Sequence, residues 1–377
     1  MDKKPFVLRR PIALLLTVAL SSALFLAFYH FDNKYTKAAP QAINGALYIS
    51  EADWTEIPIR YLRDGWRFYP DRLLTPEALK QQGDNYQYLS IGEESNLAAG
   101  NFRRSPHGSA SYAITLYLPE TEHTYAIELP EIYSAYRFYV NDKQKLQIGE
   151  PDGDAYEDQT QCRVLTFEAS GKVTLLLAVS DRSWVYSGLV YPPAFGEPLQ
   201  VNTTRGLRMG ICLIVVTVTL MLAAFSFYLA VRTRRRNNIW LFFLLCLVTA
   251  VFTSYFVVHG ILPLPIQPWY TMELVSGYLV TLLVMVLHNR ICETNRRAQL
   301  ISGTAAGLVC VLALLYGAFA AKLTLSAIFA FSNLIFGFKL LTAGYLLATA
   351  AMAVRRNTEK AALLLYADIV YACAFVW

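Results

Sequence analysis

Hydrophobic and polar positions divide the chain into two regimes. Apolar runs of about twenty residues occupy Pro11–Phe31 and residues 207–231, 239–260, 269–290, 300–320, 327–354 and 361–377. A helix rising about 1.5 Å per residue needs roughly 20 such residues to cross a hydrocarbon core about 30 Å thick, so seven spans are predicted. Between the first and second runs the pattern changes to short alternating stretches at 111–118, 125–129, 136–140, 145–148, 163–167 and 173–180. Period-two runs of β-branched and aromatic residues, bounded by Pro130, Asn141-Asp142 and Ser170-Gly171, predict an all-β domain of short strands. Only Pro76–Gln81 has a helical pattern there. The chain therefore reads as a basic stub with one span (1–31), a β domain (32–206) and a helical membrane bundle (207–377).

Charge adds an orientation. Lys3, Lys4, Arg9 and Arg10 precede the first run, and Arg232, Arg234, Arg235, Arg236, Arg290, Arg296, Arg297, Arg355, Arg356 and Lys360 fall in alternate loops. The intervening short loops hold only Lys322. The positive-inside rule then predicts a cytoplasmic N-terminus and an extracellular 32–206. The first run is long for a cleaved signal peptide and no small-x-small site follows it, so an uncleaved anchor is expected. With the net charge of +5 gathered at the span ends, no basic stripe suited to nucleic acid is left.

Of six cysteines only Cys162 lies in 32–206, which excludes a disulfide within that domain. Neither a zinc spacing nor a cofactor motif is present, and His30, His107, His123, His259 and His288 form no catalytic set. No metal, cofactor or enzymatic activity is expected of this chain.

The series Asp64-Gly-Trp-Arg-Phe-Tyr69, Gly108-Ser-Ala-Ser-Tyr112, Ser134-Ala-Tyr-Arg-Phe-Tyr-Val-Asn141 and Ser187-Gly-Leu-Val-Tyr-Pro-Pro-Ala-Phe-Gly196 resembles one family. It is that of bacterial seven-transmembrane receptors with diverse intracellular signalling modules. The resemblance spans about residues 45–200 and continues into Gln267-Pro-Trp-Tyr270. It implies an extracellular jelly-roll sandwich, similar to the sugar-binding sandwich of some glycoside hydrolases, followed by seven helices and a cytoplasmic effector. That effector is most often a histidine kinase acting on a response regulator. Six helices follow the domain here, and no phosphoacceptor histidine, ATP lid or cyclase motif is present, so a truncated or degenerate member is expected. The expected function is a sensor, in a homodimer surrounded by lipid, that binds a small extracellular ligand such as a carbohydrate. The alternatives are a transporter or membrane-complex subunit with an outer accessory domain, and an anchored sugar-binding adhesin.

Aromatic faces with directed hydrogen-bonding groups are the usual means of holding a sugar or other small ligand. Asp181, Trp184 and Tyr186 form one candidate group; Arg137 and Asn141 form another. Each has a structural alternative: Trp184 and Tyr186 as packing at the membrane-facing end, Arg137 as a partner of a nearby Glu, and Asn141-Asp142 as a hairpin turn. Arg103, Arg104 and His107 are loop candidates, while Trp66 and Tyr69 are expected in the core. Lys339 and Asp368 fall inside apolar runs, where charge is costly, and are expected to pair across adjacent helices. Glu273 is expected to reach solvent or cap its helix.

Overall fold

The computed structural model describes residues 4–35, 39–82, 85–101, 104–233, 237–358 and 360–376, without the side chains of 4–10, 32, 375 and 376. Lys3, Arg103, Arg234, Arg235, Arg236 and Trp377 therefore lie outside the described residues, as do the side chains of Lys4, Arg9 and Arg10.

Helix α1 (Lys4–Asp32) leads into the β domain. There β1 (Ala46–Tyr48), α2 (Glu51–Glu56), β2 (Ile59–Tyr61), β3 (Trp66–Pro70), α3 (Pro76–Gln81) and β4 (Gln87–Leu89) come first. The longer strands follow: β5 (Gly108–Tyr117), β6 (His123–Leu129), β7 (Ala135–Val140), β8 (Lys143–Ile148), β9 (Arg163–Ala169) and β10 (Lys172–Asp181), then the short β11 (Ala194–Gly196). The larger sheet runs β4-β3-β5-β10-β7-β8, and the smaller runs β2-β11-β6-β9. Strand β1 lies parallel to the end of β5 at Thr115–Tyr117, while β3 pairs with Ala110–Ala113 of the same strand.

This arrangement corrects the expected jelly roll, which would be eight strands in two Greek keys. The sheets are unequal, with seven and four strands, one pairing is parallel, and 54% of the structure is helical. Prolines limit the short strands: Pro58 precedes β2, Pro70 ends β3 and Pro192-Pro193 precede β11, each lacking a ladder donor.

Alternation places Tyr112, Ile114 and Leu116 of β5, Val173, Leu175, Leu177 and Val179 of β10 and Phe138 of β7 against Tyr125, Ile127, Phe167 and Phe195 of the smaller sheet. Trp66 joins this core. Tyr69 faces the other way and packs with Leu74, Ala113, Tyr139 and Leu176 beneath α3. The central strands β5 and β10 are thus covered on both faces, which explains their unbroken apolar runs. Cys162 is buried and its thiol donates to Glu128 at 3.5 Å; burial pushes that thiol up to about 12, so it stays protonated.

Helix α4 (Pro198–Arg232) begins nine residues before the apolar run expected at 207, because Pro198 fits a first helical position. At about 1.5 Å per residue it exceeds a bilayer's thickness, and its first turns pack on the β domain through the buried Val201 and Arg208. Then come α5 (Asn237–Ile261), α6 (Trp269–Ile291), α7 (Arg296–Ala318), α8 (Leu325–Arg355) and α9 (Ala361–Val376). Helix α6 touches α5, α7 and α8, while α9 packs between α8 and α1. Among the described residues six helices are long and apolar enough to cross a membrane, and the apolar part of α9, Ala361–Ala374, is shorter. Ile214, Met221, Leu308, Leu341 and Leu363 project outward as large exposed apolar side chains, a surface suited to lipid rather than water. The chain is a multi-pass membrane protein.

Candidate ligand site at the junction of sheets and helices

The connection from β10 to β11 is organised by Asp181. Its buried carboxylate accepts from the backbone N–H groups of Ser183 and Trp184, both at 3.4 Å, and contacts His107 Nδ1 at 2.8 Å. Burial pushes this carboxyl up to about 6, with the His107 contact opposing that shift. Asp181 therefore does not reach a ligand; it folds the loop that presents Trp184 and Tyr186.

Those two rings meet Tyr133, from the β6–β7 connection, and Tyr270 at the start of α6. Ring centroids of Tyr133 and Tyr270 are 4.7 Å apart, those of Trp184 and Tyr270 5.8 Å, and those of Tyr133 and Tyr186 5.7 Å. Together they wall a cavity of about 290 Å³, closed from the helices by Phe252 of α5, Glu273, Gly277, Tyr278 and Thr281 of α6, and Lys339 of α8. Behind the aromatic wall lies a polar knot. His259, fully buried at the end of α5, contacts Glu131 at 3.2 Å, and Tyr270 and Tyr133 donate to the same carboxylate at 3.4 Å.

Backbone and side-chain bonds sew the β domain to the helices around this cavity. Thr160 and Leu264 exchange backbone hydrogen bonds at 2.9 and 3.2 Å, and Gln161 Nε2 donates to the Ile261 carbonyl at 2.8 Å. Arg205 Nη2 donates to the carbonyls of both Cys162 and Gly260. Arg208 contacts Glu128 at 3.3 Å and Tyr61 Oη at 2.9 Å, with all three side chains buried.

Among the described residues, two that line the cavity carry buried polar atoms without a hydrogen-bond partner, Trp184 Nε1 and Glu273 Oε2. An unpaired buried polar atom is expensive, so both mark positions where a bound molecule would supply the missing group. The half-buried Glu273 faces the cavity, correcting the expectation that it reaches solvent or caps α6.

The other sequence candidates lie elsewhere. Arg137 on β7 contacts Glu150 at 2.5 Å and Asp152 at 2.8 Å, so its charge is met by neighbours. Asn141 has a left-handed φ of 55° in the β7–β8 turn, and its side chain accepts from the Thr174 N–H at 2.8 Å. It borders a separate cavity of about 470 Å³ with Arg67, Lys80 and Lys172.

The expected Lys339–Asp368 pairing is also corrected. Asp368 of α9 accepts from His288 Nε2 of α6 at 2.9 Å, whereas Lys339 lines the junction cavity. Depth explains the exchange. Asp368 lies seven residues into α9, about 10 Å from its start, whereas Lys339 lies sixteen residues from the end of α8 that leads into α9, about 24 Å along that helix. Lys339 is fourteen residues into α8 from the end nearer the β domain. Four of the five histidines each meet one carboxylate, His123 with Glu51 being the fourth pair, and no group of metal ligands forms among the described residues.

Sequence reasoning found Trp184 and Tyr186 but missed Tyr133, Glu131, His259 and Tyr270. The available signal was a histidine ending an apolar run and a Pro-Glu pair closing a strand, neither of which names its partner.

No family model matches the chain, and no curated protein matches it. Among solved structures, a glycosyl hydrolase family 2 member from Bacteroides cellulosilyticus shares 15% identity over 37% of this chain and 20% of its own, with a TM-score of 0.28. A putative β-galactosidase from Bacteroides fragilis gives 14%, 36%, 22% and 0.27, and the Faecalibacterium prausnitzii β-glucuronidase gives 11%, 38%, 32% and 0.27. The chain thus spans a third or less of the length of these proteins. At TM-scores below 0.5 they lend no argument, and the functional reading rests on this chain's own residues.

Proposed function

We propose that this chain is the sensory input module of a membrane receptor. The β domain lies outside the cell, with the N-terminus and the Arg-rich helix ends inside. A small molecule binds at the junction cavity, and its occupancy is passed through the helices to a cytoplasmic effector. Following the sequence resemblance, that effector is a histidine kinase acting on a response regulator, and the receptor works as a homodimer.

The observation carrying this reading is the placement of α6. At one end Tyr270, Glu273, Gly277 and Tyr278 form the cavity wall opposite the β domain. About 22 Å further along, by its rise, His288 bonds Asp368 of α9, and Asn289 bonds Ser302 of α7 and Tyr345 of α8. One helix therefore joins the binding cavity to three others at the opposite end. A ligand shifts such an assembly only by binding one helix arrangement better than another, and a cavity walled by both parts allows that difference.

Spin-label distances test this in the full chain in lipid nanodiscs, with its six cysteines replaced and labels at Arg290 and Leu363. Filling the cavity with Thr281→Phe, or opening it with Tyr186→Ala, is expected to change the distance distribution. Distributions matching the parent in both variants would overturn the relay.

A further inference from the structure

The junction cavity carries one acid and one base that do not meet. Glu273 stands on α6 with a buried carboxylate oxygen lacking a donor, and Lys339 stands on α8 at the exposed side of the same cavity. Among the described residues no ion pair joins them, nor does either pair with another charged side chain. The same cavity is lined by the rings of Tyr133, Trp184, Tyr270 and Tyr278, and the Trp184 indole N–H is buried without an acceptor among the described residues, the residue being only 2% exposed.

We propose that this cavity takes a small zwitterion, its cationic nitrogen among the rings beside Glu273 and its anionic group at Lys339 and the Trp184 N–H. The proposal rests on the preceding reading of the cavity as the ligand site and adds the chemical class. Aromatic faces attract a cationic nitrogen through their quadrupoles, and more strongly once water is removed. The carboxylate of Glu273 adds a directed acceptor on the same side. A carboxylate or phosphate on the ligand would accept from the indole N–H and offset the ammonium of Lys339, which otherwise sits unpaired on an apolar helix.

Charge balance decides between ligand classes. A plain amine would leave Lys339 unmatched, a plain acid would leave Glu273 unmatched, and a neutral sugar would leave both. Only a molecule with both signs satisfies the two side chains and the indole together. A volume of about 290 Å³ is near the lower limit for ligand cavities, which suits a molecule of amino-acid size.

The experiment uses the full chain in nanodiscs and four probes: phenylalanine, phenethylamine, 3-phenylpropionate and galactose. Calorimetric titration is expected to show phenylalanine binding at least about tenfold more tightly than the other three. Glu273→Gln is expected to abolish its advantage over phenylpropionate, and Lys339→Met its advantage over phenethylamine. Equal or tighter binding of either singly charged probe, or of galactose, would overturn the zwitterion assignment. So would the absence of binding by all four at millimolar concentration. Failure here with shifted distances in the cavity variants leaves the sensor reading standing. Phenylalanine binding with unmoved distances would instead sustain the ligand class and reject the relay.

Discussion

His288 on α6 and Asp368 on α9 are joined by a 2.9 Å hydrogen bond between Nε2 and Oδ2, and both side chains are buried. Asn289, the next residue, donates to Ser302 Oγ at 2.8 Å and accepts from Tyr345 Oη at 2.6 Å. A single turn of α6 therefore ties α7, α8 and α9 together. Within a bilayer such polar contacts are the specific part of helix association, because apolar side chains gain little by leaving lipid for protein.

The pair should show coupling in a double-mutant cycle. His288→Leu and Asp368→Leu each leave the other polar group without its partner, whereas the double variant removes both. Interhelical hydrogen bonds in membranes are worth about 0.6–2 kcal/mol, so a coupling energy of about 1 kcal/mol is expected. Unfolding in mixed detergent micelles measures it. Additive single effects would mean that the contact contributes nothing to holding α9.

The long helices and the longer strands were legible in the chain, whereas the expected jelly roll is not the fold that forms. Long apolar runs mark the helices because length and composition suffice for a span, and the alternating stretches at 111–118 and 173–180 fall on β5 and β10, the first running one residue past the end of its strand. The sheet order was not legible: the short β1, β2 and β11 carry no period of their own and gain their places by pairing with distant strands. The cavity divides similarly. Trp184 and Tyr186 stand out as a polar-aromatic loop, but Glu131 meets His259 and Tyr270 across more than 120 residues of chain. Lys339 and Asp368 stand out as lone charges in apolar runs, yet Asp368 lies much nearer the α8–α9 connection than Lys339 does, and it is His288 that reaches it. Local pattern gives position along a helix, not the neighbour it faces.

Arg208 predicts how firmly the β domain is seated on α4. Its guanidinium meets the buried Glu128 and Tyr61, so Arg208→Met would strand a carboxylate in a sealed site. Breaking a buried pair from one side costs about 3–5 kcal/mol, whereas Arg208→Met with Glu128→Leu should recover a large part of that. Limited proteolysis in nanodiscs checks it. The single variant should be cut faster in the β domain, and the double variant should regain much of its protection.

Asn141 should behave as a turn residue. With φ at 55° and its side chain accepting from the Thr174 N–H, it needs both left-handed backbone and a short acceptor. Asn141→Gly keeps the backbone and is expected to cost about 1 kcal/mol through the lost hydrogen bond. Asn141→Val loses both and should cost about 2–3 kcal/mol, since a β-branched residue is strained at this φ. Denaturant midpoints of the two variants separate the contributions, and equal midpoints would refute the turn role.

The pH dependence of the β domain should carry the mark of Asp181. Its carboxyl, buried behind the loop that presents Trp184, is held at about 6 against an ordinary value of 3.8; His107 and Tyr156 are titratable groups that interact with it. Burial dominates the shift, so the folded state favours the protonated acid more than the unfolded state does. Between about pH 4 and pH 6 the folded chain therefore binds the extra proton, and stability falls as pH rises through this window. A displacement of this size corresponds to at most about 3 kcal/mol, fully present below the unfolded value and lost above the folded one. Asp181→Asn, a neutral isostere of the protonated acid that can still hydrogen-bond His107, should flatten the slope between pH 4 and pH 6. Denaturant titrations across that range, followed by tryptophan fluorescence in the full chain, compare the two slopes. The same slope in both proteins would mean that another group, not Asp181, takes up the proton.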